Sequence, residues 1–153
     1  MPTETVYPVA SPQEEWTPSS AVDHYTLVDD SPWPADETGY VSVAGFTANN
    51  VDKYTLGQCP TSIDRIQSIA VYTRIKASPA SHNPALHIQL LINDSVVASY
   101  YGGCNTGGAW ATLYFVMTGL NISRDVYNNG NPTIVLTPLN GSIPGLPDYS
   151  EDA

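Results

Sequence analysis

Ile69, Val71, Thr73 and Ile75 alternate with Ala70, Tyr72, Arg74 and Lys76, and Leu86, Ile88, Leu90 and Ile92 alternate with His87, Gln89 and Leu91. A period of two lets a strand turn one set inward and the other outward, and a helix cannot use it. The same period recurs where Leu113, Phe115 and Met117 interleave with Trp110, Thr112 and Tyr114. Shorter candidate strands lie at 24–28, 40–43, 53–56, 96–101 and 133–137, separated by Gly, Pro, Asn and Asp. The stretch 63–77 reads as the longest strand. Asn93-Asp94 predicts a tight hairpin turn, and residues 123–127 predict one helical turn capped by Ser123. The expected fold is all-β: an antiparallel two-sheet sandwich of jelly-roll type, with no internal repeat.

The N-terminal segment is different. Pro2, Pro8, Pro12 and Pro18 surround the isolated anchors Tyr7 and Trp16, and proline at that spacing excludes a helix. The segment has neither the basic start nor the apolar stretch of a signal peptide. It predicts an extended arm over residues 1–22 that lies on a neighbouring subunit, where Tyr7 and Trp16 fill pockets. The β domain is expected over 23–140 and an acidic tail over 141–153.

Charge narrows the partners. The 153 residues carry a net charge of -10, and only 13% of them are charged. All the bases (Lys53, Arg65, Arg74, Lys76, Arg124) fall in the middle of the chain, and both ends carry acids alone. Binding to nucleic acid needs clustered Lys and Arg, so it is not expected. No apolar run is long enough to cross a bilayer as a helix.

Reactive constellations are sparse. Asp29, Asp30, Asp36 and Glu37 crowd one loop; their spacing is not that of an EF-hand, and a solvated acidic loop is the better reading than a Ca²⁺ site. Cys59 and Cys104 lack the spacing of a zinc site; whether they bridge is left open. No Ser, Cys, His and acid stand in a catalytic arrangement, so no enzyme, cofactor or metal is expected. Trp33, Tyr72, Tyr100, Tyr101 and Trp110 are the exposed-aromatic candidates. They serve a glycan platform, a protein interface, or ordinary sheet packing.

His24-Tyr25-Thr26-Leu27-Val28-Asp29-Asp30, then Pro34, Asp36-Glu37-Thr38 and Tyr40-Val41, resembles the opening motif HYxxVDexxPdddTtYV of small β-sandwich virion proteins of tailed phages. Residues 66–74 are similar to that group's "vqvnaRaR" strand, and Asp125-Val126-Tyr127-Asn128 to its "adVNal" turn. The resemblance covers about residues 24–139. The arm and tail lie outside it, and the Trp that often precedes the helical turn is missing. It implies a decoration or cement protein, made in the host cytoplasm and carried on the virion. Its expected partners are the major capsid protein and further copies of itself as dimer or trimer, with no nucleic acid and no membrane. The alternative is a fibre module that binds cell-surface glycan.

Overall fold

The computed structural model describes residues 3–27, 40–42, 51–76, 85–103 and 109–139. Along them run β1 (Pro8–Glu14), β2 (Thr17–Pro18), β3 (Val41–Ser42), β4 (Asp52–Leu56), β5 (Arg65–Ile66) and β6 (Ile69–Ile75). Then come β7 (Ala85–Ile92), β8 (Ser95–Gly103), β9 (Ala111–Met117), β10 (Ile122–Ser123), the short helix α1 (Arg124–Asn129) and β11 (Thr133–Leu139). The described chain is therefore mostly β, and each of its strand pairings is antiparallel.

The pairings nest. β7 pairs with β8, β6 with β9, β5 with β10 and β4 with β11, so the two arms of one long ribbon meet in order outward from a single tip. That tip is the expected turn: Asn93 and Asp94 have φ of 52° and 58°. Left-handed backbone at both central residues is what a two-residue hairpin requires, and Asn and Asp accept it at low cost. The ribbon then curls, so that β11 also pairs with β7, and a five-stranded sheet forms in the order β1-β4-β11-β7-β8.

Alternation decides the core. Leu86, Ile88 and Leu90 of β7, Ile134 of β11, and Phe115 and Met117 of β9 form one buried cluster, with Ile69, Val71 and Ile75 packed against it. Ile88 and Leu90 have no exposure at all, and each contributes about 1.5–3 kcal/mol by leaving water. Tyr127 of α1 joins Ile66 and Ile92 in a second cluster. The helix is too short to persist alone. Its N-cap Ser123 accepts from the Val126 amide at 3.2 Å, and Asn128 grips the Cys59 backbone through both its carbonyl and amide groups.

Three expectations are corrected. Of the strand expected at 24–28, the described part, His24–Leu27, is a 3₁₀ turn and not a strand, because the Thr26 amide and hydroxyl both bond the Asp23 carbonyl and give the backbone a local alternative. Within the described part of the stretch expected at 63–77, the strand is interrupted at Gln67 and Ser68, where the Gln67 carbonyl takes the Leu120 amide. Most importantly, residues 8–18 do not form an arm separate from the domain. β1 pairs with β4 of its own chain, with register shifts on either side of Ala10. As the outermost strand it can carry Pro8 and Pro12, since a residue without an N–H is tolerated at a sheet edge. The acidic loop at 29–37, Trp33, Cys104 and the tail at 141–153 lie outside the described residues, while Cys59 is a free thiol.

Candidate functional site

The most concentrated polar chemistry gathers on Asp52, at the start of β4 and fully buried. Its Oδ1 accepts the Glu15 and Trp16 amides at 2.8 and 2.9 Å. Its Oδ2 lies 2.7 Å from His24 Nδ1 and accepts the Tyr54 hydroxyl at 2.9 Å. A carboxylate has about four acceptor positions, and here all are used. Burial, and then the charge of Asp52, pushes the Tyr54 hydroxyl far above its usual range, so it stays a neutral donor.

Two exposed carboxylates continue the stitching. Glu14 accepts the Ser11 hydroxyl and, at 2.8 Å, the His24 amide. Those two bonds, the Ser11 one foremost, hold its pKa below the ordinary value. Glu15 accepts the Val51 amide and the Gln13 side chain, both at 2.7 Å, and is lowered in turn. Three acids on two segments therefore fasten β1, the 3₁₀ turn and β4 together. A His beside a carboxylate is half of a nucleophile-activating arrangement, but His24 is only 3% exposed and presents no ring to a substrate. The cluster works as a latch.

Trp16 is packed against the chain's own core, and Tyr7 is half-buried with its carbonyl accepting the Gly57 amide. Trp16 is thus not available to fill a neighbour's pocket, which corrects the mechanism expected of the arm. Part of the acidity of this region is local structural chemistry, since Glu14, Glu15 and Asp52 each accept backbone amides. An acid at a core-facing position of a short strand, Asp52 before Tyr54, was the visible signal.

Among the described residues the aromatic candidates do not form one platform. Tyr72 and Tyr114 stand directly opposite each other on β6 and β9, with ring centroids 4.7 Å apart and 55% exposure each. Arg74 of the same outward set donates to Thr112 at 3.0 Å. Tyr101 lies at the other parity of β8, stacked on His87 at 4.1 Å with ring planes 4° apart. Tyr100 turns edge-on to Phe115 at 5.2 Å, and Trp110 lies 6.1 Å from Tyr40. Tyr114 is the site residue that reading the sequence missed: its parity was plain, but its register with Tyr72 was not.

Burial lowers the His87 pKa from the ordinary 6.5, so its ring stacks on Tyr101 uncharged at neutral pH. Because the folded value is depressed, the unfolded chain takes up a proton first as pH falls through 6.5. His87 thus contributes stability above that pH and loses it progressively below it. An NMR titration of the His87 ring is expected to give a midpoint below 6.5; a midpoint at or above it refutes the stacking argument.

Among the described residues no group of His, Cys, Asp or Glu is placed to hold a metal ion, and no helix is long and apolar enough to cross a membrane. No family model matches the chain, and no curated protein or solved structure matches it.

Proposed function

We propose that this chain is a structural protein of a virion, of the capsid-decoration type, that docks on a shell of major capsid protein and does no chemistry. We read the nested ribbon as a two-sheet sandwich of jelly-roll type, an architecture that uses closure and short edges to stay soluble. The motif resemblance over residues 24–41, 66–74 and 125–128 supports the class, and with it synthesis in the host cytoplasm and residence on the particle.

One observation carries the docking role: the cross-strand Tyr72–Tyr114 pair, half exposed, with Arg74 beside it. Tyr and Arg are the residue types that concentrate binding energy at protein interfaces, and a rigid strand pair loses little entropy when they dock. The N-terminal segment serves this role indirectly, by completing the sheet. Deleting residues 1–22 would therefore remove β1 and Trp16 and report on folding; the useful variant changes only the exposed pair.

Particles assembled without the protein are expected to bind it saturably. The double variant Tyr72→Ala/Tyr114→Ala should bind about 30-fold more weakly or worse, the effect of losing at least one anchor of about 2 kcal/mol. Undiminished binding by the variant, or none by the parent, overturns the proposal. The same exposed ring pair favours one second reading, a fibre module that recognises cell-surface glycan. Saturable binding on a glycan array, abolished by the same substitutions, would establish that reading instead.

A further inference from the structure

Among the described residues, β1 and β8 are the edges of the five-stranded sheet, and the two are built differently. β1, at one edge, carries Pro8, Pro12 and Glu14 and has two register irregularities. Proline, charge and irregularity are the devices by which proteins keep an edge from pairing with another chain. β8, at the other edge, is longer, with the sequence SVVASYYGG. It has no proline and no charge, and its one irregularity leaves Val97 unpaired near the turn, so the strand runs regularly from Ala98 to Gly103. Val96, Val97, Tyr100 and Tyr101 on it are 53, 42, 39 and 37% exposed.

The sequence on either side of it is equally neutral. From Ala77 to Ser123 the only Asp, Glu, Lys or Arg is Asp94 at the hairpin tip, in a chain whose net charge is -10. Two copies of so acidic a chain repel over most of their surface, and a neutral strand is where they can meet without placing acid against acid. A neutral edge also offers nothing to a charged partner. Its backbone, by contrast, complements its own: two identical strands related by a two-fold axis perpendicular to the sheet pair antiparallel, each giving the groups the other accepts.

We propose that β8 is the subunit interface of a homodimer, in which β8 of one copy pairs antiparallel with β8 of a second and the two five-stranded sheets become continuous. Tyr100 and Tyr101 then lie across from the same uncharged stretch of the partner, where aromatic cross-strand neighbours add to the pairing. The inference deepens the assembly reading above but does not need the capsid. It is tested on the free protein, so it can fail while particle binding stands, or hold while particle binding fails.

The full chain is expected to sediment as a dimer that dissociates on dilution, with amide-exchange protection of residues 98–103 falling as the monomer appears. Val97→Lys and Ser99→Lys, both at exposed positions, should keep the circular-dichroism spectrum and weaken self-association at least about tenfold, since like charges then oppose each other across the axis. Val9→Lys on the protected edge should leave it unchanged. A monomer at every concentration overturns the proposal. So does a dimer indifferent to lysine in β8, or protection of β8 that does not change with dilution, which would mean another segment of the same chain covers it. If the lysine variants fail to fold, the concentration dependence of exchange in the parent protein decides alone.

Discussion

Asp52→Ala is expected to destabilise the protein by about 3–5 kcal/mol, the range seen when one partner of a buried charged network is removed. The substitution takes away the acceptor of the Glu15 and Trp16 amides, the Tyr54 hydroxyl and the His24 ring together. None of these groups can turn to water without opening the junction, because His24 and Tyr54 are each only 3% exposed. The loss corresponds to a fall in melting temperature of about 10 °C or more for a domain of this length. Asp52→Asn keeps one carbonyl acceptor and nearly the same shape, and should fall between the parent and the alanine variant. Thermal unfolding of the three proteins, with amide exchange over residues 8–16, checks the sequence of effects. An alanine variant within about 1 kcal/mol of the parent would mean that β1 is held by strand pairing alone and that the latch is incidental.

Tyr127→Ala should cost a comparable amount, about 3–5 kcal/mol, as expected for emptying a fully buried aromatic site. Tyr127 is 2% exposed and packs in the cluster of Ile66 and Ile92, and its hydroxyl donates to the Gly57 carbonyl at 3.3 Å. Burial drives that hydroxyl well above its usual pKa and keeps it a donor. The cavity has no easy way to collapse. α1 is tied on one side by Asn128 to Cys59 and on the other by the Gly130 carbonyl, which accepts the Asn93 amide at 2.6 Å. Tyr127→Phe retains the ring and loses one hydrogen bond, so it should cost about 1 kcal/mol. Chemical denaturation of both variants separates packing from hydrogen bonding. Equal losses in the two would place the stabilisation in the hydroxyl and contradict the packing argument.

Much of the strand pattern was legible without the structure because it is local. The parity of Leu86, Ile88, Leu90 and Ile92 could be read from a period of two, and these four side chains are buried. Asn93-Asp94 and Ser123 announce a turn and a cap through backbone preferences that operate within four residues. Where local signals conflicted, the tertiary context won. Residues 24–28 have the composition of a strand, yet a buried carboxylate from β4 takes the His24 ring, and Asp23 takes the Thr26 amide and hydroxyl, so His24–Leu27 turns. Proline in the N-terminal segment excludes a helix, but that says nothing about what lies beside β1.

Composition and periodicity alone established an antiparallel β chain, its inward and outward faces, the hairpin tip and the capped helical turn, since each of these follows from the φ preferences and polarity of adjacent residues. Only the tertiary structure decided that Glu14 meets Asp52, that Tyr72 meets Tyr114, and that β1 and β8 are the two edge strands of the described five-stranded sheet. Such pairings depend on register between segments tens of residues apart. That register is set by the whole core closing at once, and no short window of sequence contains it.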